Sequence, residues 1–514
     1  MPETAARAAI AVRMSGIHKR FGAVAANADV NLTVHAGTVH GLVGENGAGK
    51  STLMSVLYGF YQADSGAIDV FGQPASIRNA DDAIALGIGM VHQHFMLVDT
   101  LTALENVMLG AEPHWLLQRA SAQVRSQLEA LMRSTGLQVD LSAQVADLPV
   151  GDRQRLEILK ALYRGAKILI LDEPTAVLTP QETEQLFGVL RLLRGQGTTI
   201  LLITHKLKEV MRLCDRVTVM RAGRVVQELP IAQASVEGLA EAMVGRKVQM
   251  GRLVEDTRPV GDILLQASQL TVRDSMNVVR LDGVSLSLRG GEIVGVAGVS
   301  GNGQSELLDV LSGMLVPTEG ELTLGGTAFS SSAWLDPHAA RAQGVAHVPE
   351  DRHARAMVMD FAAWESAVLG YDGLPDYASG GWMNHAAMKQ ATASMMERFD
   401  VRPRDPALRS RSFSGGNQQK LVLARELGQS PKVLLVGQPT RGVDIGAIEF
   451  IYAQLRAMRD AGCAVLVVSS ELDEILALSN RVIVMNQGRV AGELAIEDCT
   501  EASLGLLMVG GGGA

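Results

Sequence analysis

A glycine-rich loop at residues 44–51 reads GENGAGKS and is the clearest sign of chemistry in the chain. Glycines at these positions let the backbone wrap around phosphate oxygens so that its N–H groups point inward. The lysine can reach the outer phosphates of a nucleotide, and the serine hydroxyl can ligate Mg²⁺. The loop follows an apolar run and precedes a helical pattern, as this motif requires. We therefore predict a nucleotide-phosphate site at Gly44, Glu45, Asn46, Gly47, Ala48, Gly49, Lys50, Ser51 and Thr52.

Other polar residues follow further apolar runs in the first half of the chain, namely Gln93, Asp172, Glu173 and His205. A carboxylate at a strand end can hold Mg²⁺, and the next one can orient and deprotonate an attacking water. We predict Ser51, Gln93 and Asp172 as metal ligands. We predict Glu173, His205 and Gln93 as catalytic, with the last two close to the γ-phosphate. The structural alternatives are a helix start at the acidic pair and a histidine that merely caps a strand.

The chain repeats itself, so it contains two copies of one unit. The loop glycines at 44 and 49 recur 254 residues later (298 − 44 and 303 − 49). The stretch at 148–162 recurs 265 residues later (413 − 148). The difference of 11 (265 − 254) predicts a modest insertion in the second copy. We expect a first domain at 10–250, a linker at 251–262 and a second domain at 263–507.

Short apolar runs alternate with helical patterns within the first copy. The runs at 38–43, 167–171 and 198–203 are almost wholly apolar, as strands covered on both faces are. The stretches at 153–162 and 181–193 have the apolar spacing of helices. This alternation predicts an α/β fold with a mostly parallel sheet, and ligands then bind at the carboxyl ends of the strands.

Composition argues against several classes of protein. The 514 residues include 46 Lys and Arg against 55 Asp and Glu, which gives a net charge of −9, and 4% are aromatic. Nucleic-acid-binding surfaces usually have a basic excess or aromatic platforms, so we expect no nucleic-acid partner. The 3 cysteines lack C-x-x-C spacing, which argues against a disulfide framework and a cysteine zinc site. No apolar run reaches about 18 residues, so any membrane crossing would need a separate chain.

Residues 414–419 read SGGNQQ and resemble the LSGGQ signature of the ATP-binding-cassette (ABC) family. The resemblance extends over about residues 10–505, because the first half keeps the family's order of motifs. It implies two tandem P-loop ABC ATPase domains. Each would have a mostly parallel sheet core, an antiparallel β subdomain and an α-helical subdomain.

The same resemblance implies ATP and Mg²⁺ as cofactors. In this family two cassettes pack head to tail, and each ATP lies between the phosphate loop of one cassette and the signature of the other. The resemblance therefore adds Ser414, Gly415, Gly416 and Gln418 to the residues that bind nucleotide. Phe21, ahead of the first loop, could stack on adenine, and ordinary core packing is its alternative.

Both halves depart from the family's pattern, and the departures fall together. In the second half the loop lysine is Gln304, the acidic pair is Gly437-Gln438, the histidine is Ser470 and the strand-end glutamine is Glu350. In the first half the signature reads PVGDRQ at 149–154, and proline offers neither hydroxyl nor N–H. With head-to-tail packing, one site would join the two intact motifs and the other would join the two degenerate ones. We predict one hydrolytic site and one regulatory or structural site.

The resemblance implies the ATP-hydrolysing subunit of a bacterial importer, working with two integral-membrane permease subunits and an extracytoplasmic substrate-binding protein. The chain would then lie at the cytoplasmic face of the bacterial cell membrane. The stretches GMVHQHFMLV at 89–98 and GNGQSE at 301–306 look like the nucleoside-import branch of the family. The alternatives are a simple-sugar importer of the ribose or galactose type and a non-transport tandem ABC protein such as a translation factor.

Overall fold

Two compact units make up the chain, Met1–Val248 and Gln249–Ala514. The structure is a computed structural model that describes residues 9–22, 24–92, 95–110, 117–175, 178, 180–247, 260–299, 301–379, 381–443 and 445–509. Most of the linker predicted at 251–262 lies outside these residues, so the predicted domain boundaries stay predictions. No helix within the described ranges is long and apolar enough to cross a membrane.

The described residues of the first unit form two sheets. Its strands are β1 (Ile10–Phe21), β2 (Val24–His35), β3 (Val39–Val43), β4 (Ser65–Val70), β5 (Gln73–Ala75), β6 (Ile88–Val91), β7 (Ile168–Asp172), β8 (Thr199–Ile203), β9 (Arg216–Arg221) and β10 (Arg224–Pro230). The central sheet has the order β10-β9-β3-β8-β7-β6 and is parallel except for β10. The second sheet is antiparallel, with the order β2-β1-β4-β5.

Helices cover the central sheet of this unit and connect its strands. They are α1 (Lys50–Leu57), α2 (Ala80–Ala85), α3 (Ala103–Met108), α4 (Leu117–Thr135), α5 (Val150–Tyr163), α6 (Pro180–Gly195), α7 (Leu207–Leu213) and α8 (Val236–Val244). The three strands and two helices expected from the apolar pattern are therefore confirmed as β3, β7, β8, α5 and α6. Every residue of those three strands is buried, because the sheet is covered on both faces.

The second unit repeats this plan. Its strands are β11 (Ile263–Arg273), β12 (Val279–Arg289), β13 (Ile293–Ala297), β14 (Glu319–Leu324), β15 (Thr327–Ser330), β16 (Val345–Val348), β17 (Ala378–Ser379), β18 (Trp382–Met383), β19 (Val433–Gly437), β20 (Ala464–Val468), β21 (Arg481–Asn486) and β22 (Arg489–Ala495). Its helices are α9 (Gln304–Leu311), α10 (Pro337–Ala342), α11 (Ala363–Val368), α12 (His385–Arg398), α13 (Gly415–Leu427), α14 (Ile445–Asp460), α15 (Leu472–Leu478) and α16 (Glu501–Val509). Its sheets have the orders β16-β19-β20-β13-β21-β22 and β12-β11-β14-β15, equivalent to those of the first unit.

The predicted insertion is spread over three places. The offset between the units is 257 residues at β6 and β16 (345 − 88), 260 at α3 and α11 (363 − 103) and 265 at α5 and α13 (415 − 150). The last increase coincides with the β17–β18 hairpin, which lies between α11 and α12. The second increase lies between β16 and α11, in the segment that follows the carboxyl end of β16 and contains His353.

Candidate functional site

The phosphate loop of the first unit joins β3 to α1, and its glycines are required by close backbone contacts. A Cβ atom on Gly44 would lie 2.4 Å from the carbonyl oxygen of Met220. Gly49 has a φ of +97°, and a Cβ atom there would lie 2.3 Å from the carbonyl oxygen of Ala26. Any side chain at these two positions would displace backbone, so glycine alone permits the loop to close.

Lys50 lies inside the loop and is almost fully buried. Its Nζ donates hydrogen bonds to the carbonyl oxygens of Gly44 at 2.7 Å and Glu45 at 3.0 Å. The ammonium group is thus held where a bound phosphate would lie, at the start of α1. Its charge and position suit phosphate binding, and its role there stays a prediction.

Asp172 ends β7 and faces the start of α1. The Ser51 side chain lies near enough to its carboxylate to act on its pKa. Burial raises the pKa of Asp172, and the neighbouring Glu173 raises it further, while Ser51 and Lys50 oppose the shift. A carboxylate and a hydroxyl side by side are the hard oxygen donors that Mg²⁺ prefers. The predicted ligands Ser51 and Asp172 therefore fit the metal, whereas the third, Gln93, lies outside the described residues.

Glu173 and His205 lie together at the ends of β7 and β8. The His205 Nδ1 atom is 2.8 Å from Glu173 Oε1. Burial acts to raise the pKa of Glu173, but the His205 hydrogen bond and the charges of His205 and Lys50 outweigh it, so the pKa is lowered. Glu173 is therefore a carboxylate at neutral pH, as a general base must be.

The backbone of Glu173 has a φ of +47°, which is uncommon for a residue other than glycine. Its N–H donates to the carbonyl oxygen of Ile203 at 2.8 Å, and this bond holds the residue against β8. Strained backbone of this kind is concentrated at functional sites. The geometry turns the side chain toward His205.

Phe21 ends β1, and 43% of its surface is exposed, so it is not an ordinary core residue. Its ring lies 5.1 Å from the ring of Tyr61, and Lys19 Nζ lies 5.6 Å from its centroid. An accessible aromatic face suits stacking on a base, and the role of Phe21 in adenine binding stays a prediction.

Asn27 positions the phosphate loop and was missed by the sequence analysis. Its side chain is fully buried, and its Nδ2 donates to the carbonyl oxygen of Gly49 at 3.1 Å. No motif includes this residue. Polar residues alternate with apolar ones from position 27 to position 35 of β2, so the pattern does not distinguish Asn27 from its neighbours.

The second unit has neutral side chains where the first has charged ones. The amide Nε2 of Gln304 donates to the carbonyl oxygen of Val299 at 3.2 Å, in the place that Lys50 takes. Gln438 Oε1 accepts from the backbone N–H and the hydroxyl of Ser470, at 3.2 and 3.1 Å. This amide–hydroxyl pair replaces the Glu173–His205 pair, and neither member can accept a proton from water at neutral pH.

The signature of the second unit begins α13, with Ser414 as the residue before Gly415. Gln418 is buried, and its Nε2 donates to the carbonyl oxygens of Ser410 and Phe413 at 3.2 and 3.1 Å. Its Oε1 lies 2.9 Å from His353 Nε2. The predicted signature therefore has the form of a rigid turn that presents a hydroxyl and the N-terminus of a helix. The link to His353 was not predicted.

Comparison with known proteins identifies the family. The ABC transporter family model matches residues 28–176 and 281–441. The chain is 43% identical to the guanosine import ATP-binding protein NupO of Bacillus subtilis, over 97% of both chains. It is 42% identical to the nucleoside import ATP-binding protein NupA of Lactococcus lactis, over 97% of this chain and 98% of that one. It is also 42% identical to the glucose import ATP-binding protein TsgD13 of Haloferax volcanii, over 98% of this chain and 96% of that one.

Among solved structures, a ribosome-bound archaeal Pelota and ABCE1 model matches with a TM-score of 0.65 and 18% identity. The match covers 99% of this chain and 82% of that one, and at this identity it supports the fold alone. The two matched cassettes and the full-length relatives agree with the site geometry. The chain belongs to the ABC transporter family, as an ATP-hydrolysing subunit with two tandem cassettes.

Proposed function

We propose that this chain energises the import of nucleosides or related purine compounds by hydrolysing ATP in its first unit. The observation that carries the proposal is the assembly of Lys50, Asp172, Glu173 and His205 at one sheet edge. Each of the four corresponds to a neutral residue in the second unit. The chain therefore supplies one hydrolytic site.

Hydrolysis needs three contributions from the first unit. The loop N–H groups and Lys50 hold the phosphates and offset their charge. Ser51 and Asp172 would hold Mg²⁺, which supplies further charge neutralisation when bound. Glu173 orients the attacking water and accepts its proton, and His205 fixes the carboxylate through the 2.8 Å contact. Gln93 as a further ligand, and residues 414–419 as the signature that completes this site, belong to the proposal on the strength of the family resemblance.

Separate permease subunits are proposed as partners because the relatives named above are import ATP-binding proteins.

We place the chain at the cytoplasmic face of the bacterial cell membrane, bound to two permease subunits that receive substrate from an extracytoplasmic binding protein. The names of the relatives favour nucleosides, since two of the three print guanosine or nucleoside import. The glucose relative is as similar as the second of these, so a simple sugar is the competing substrate.

The test is uptake of labelled guanosine, adenosine, ribose and glucose by cells with and without the chain. Loss of nucleoside uptake alone supports the proposal, and loss of sugar uptake alone overturns the substrate assignment. If neither nucleoside uptake nor sugar uptake is lost, the import role is wrong. In parallel, Glu173→Gln should reduce ATP turnover by about 10²–10⁴-fold while ATP still binds, because the base is lost and the loop is unchanged. The matched control is Gln438→Ala, which should leave turnover within about twofold of the wild type; retained turnover in Glu173→Gln would contradict the assignment of the base.

A further inference from the structure

One arginine side chain joins the signature turn of the second unit to two other segments. Arg352 lies in the segment after β16, and its Nε donates to Gln418 Oε1 in a long hydrogen bond of 3.4 Å. Its Nη1 donates to the carbonyl oxygen of Arg441, in the segment after β19, at 2.9 Å. The guanidinium therefore connects the signature with the segments that follow both strands.

The backbone of the signature is packed against the same side chain. A Cβ atom on Gly415 would lie 2.7 Å from Arg352 Nη2 and 2.8 Å from the carbonyl oxygen of Gly442. The second of these atoms belongs to backbone that cannot move aside without cost, so glycine is required for the turn to fit in this place. The position of the turn that begins with Ser414 is thus set in part by the guanidinium.

Gln418 receives this contact with an amide that is bonded at both ends. Its Nε2 donates to the carbonyl oxygens of Ser410 and Phe413, and its Oε1 accepts from Arg352 and lies 2.9 Å from His353 Nε2. A buried amide with partners on both sides is held in one orientation. The side chain therefore links the segment after β16 to the first turn of α13.

The equivalent positions of the first unit lack this arginine. Phe95 stands where Arg352 stands (352 − 95 = 257), and Arg153 stands where Gln418 stands (418 − 153 = 265). Arg153 donates to two carbonyl oxygens of the stretch 146–148, directly before its own helix. A phenylalanine side chain donates no hydrogen bond. The arginine therefore accompanies the intact signature and is absent beside the degenerate one.

We propose that Arg352 is a positioning residue for the signature turn, and that its contacts hold Ser414 and the N-terminus of α13 in the geometry that ATP hydrolysis requires. The inference rests on the proposed function, because residues 414–419 are assigned there to the hydrolytic site. A planar guanidinium can donate to Gln418 and Arg441 at the same time, whereas an ammonium is a single point of charge on a flexible stem. Because Arg352 acts through the signature, its loss should lower turnover and leave ATP binding in the first unit intact.

Steady-state ATP turnover and equilibrium ATP binding of the full chain, measured side by side, test this role. Arg352→Lys and Arg352→Met should each lower kcat by about tenfold, because hydrogen bonds from a charged group are lost. The KM for ATP and the number of ATP molecules bound should stay within about twofold of the wild type, as they do when an interaction matters only for turnover. The matched control is Arg355→Met in the same segment. Its guanidinium forms an ion pair with Asp309, so kcat should change by less than about twofold.

A second pair of variants separates positioning from a folding defect. Gln418→Leu removes the acceptor, so adding Arg352→Met to it should lower kcat by less than about threefold more, because both changes act on one contact. If Arg352→Lys keeps the wild-type kcat, if ATP binding falls in parallel with turnover, or if the effects of the two variants multiply, the inference is wrong. Gly415→Ala disrupts the signature itself. If that variant keeps full turnover, the assignment of residues 414–419 in the proposed function is wrong, and the inference is wrong with it.

Discussion

Glu474 in α15 provides a test of burial and charge in the second unit. Its carboxyl group is buried, and within the described residues its oxygens make no hydrogen bond of normal geometry. Burial raises the pKa of Glu474 from 4.5 to about 7. The hydroxyls of Ser469 and Thr440 lie near enough to oppose the shift, and the charge of Glu471 adds to it.

The equivalent residue of the first unit is Glu209 (474 − 209 = 265), and its surroundings differ. Thr175 Oγ1 donates to both of its oxygens, at 2.7 and 2.8 Å, and Lys206 Nζ lies 3.8 Å away. The second unit has Glu471 where the first has Lys206 (471 − 206 = 265). Lys206 therefore favours the charged form of Glu209. Glu471 disfavours the charged form of Glu474, which explains why Glu474 is hard to ionise.

The consequence is a stability that falls as pH rises. The folded state holds the Glu474 proton up to about pH 7, whereas the unfolded chain releases it near 4.5. Folding is therefore penalised progressively between these two values, and the penalty is complete above the higher one. Glu474→Gln removes the titration. The free energy of unfolding of the variant, relative to the wild type, should increase by about 2–3 kcal/mol between pH 5 and pH 8.

Urea unfolding at both pH values, followed by tryptophan fluorescence, measures this difference. The second unit contains Trp334, Trp364 and Trp382, three of the 4 tryptophans, so the signal reports chiefly on it. Glu209→Gln is the matched control, and it should lose stability at both pH values, because a charge with good partners is removed. A difference between Glu474→Gln and the wild type that is the same at pH 5 and pH 8 would refute the reasoning.

Three further substitutions test the two phosphate sites and the core. Gly49→Ala should weaken ATP binding by about tenfold or more in equilibrium titrations, because its Cβ would lie 2.3 Å from the carbonyl oxygen of Ala26. Arg425→Met should lower the free energy of unfolding by about 3–5 kcal/mol in urea titrations, because it leaves the buried Glu426 carboxylate without the guanidinium at 2.8 Å. Gln438→Glu should not raise the steady-state ATPase rate, and a doubled rate would overturn the model of a single hydrolytic site.

The architecture of each unit followed from the sequence because two physical signals are local. Fully apolar runs such as 167–171 predict strands buried on both faces, and β7 and its neighbours are such strands. The phosphate loop needs glycine at fixed positions and a helix directly after it, so its motif specifies its own geometry. The location of Glu173 and His205 at one sheet edge followed from one rule, that parallel strands end at a common edge. Their contact at 2.8 Å was not predicted.

Other features were not predictable because they depend on contacts between distant segments. Nothing in the sequence near Asn27 indicates that its side chain supports Gly49, because the two residues belong to different elements and meet only in the folded unit. The closeness of Glu350 and Gly437 was not predicted, because it arises from the pairing of β16 with β19, which are far apart in the sequence. Spacing along a chain does not give the distance between two strand ends.

The replaced residues of the second unit make contacts of their own. Gln304 keeps a carbonyl partner, Ser470 keeps Gln438, and Glu350 keeps Ser305. Of these side chains Gln304 is buried, and leaving its amide without a partner would cost about 1–3 kcal/mol. Restoring one residue of the first unit's type in the second unit would break one of these contacts. It would still leave the lysine, aspartate, glutamate and histidine of the first unit incomplete there. Turnover in the second unit should thus require all of these changes together, and this is why Gln438→Glu alone is expected to fail.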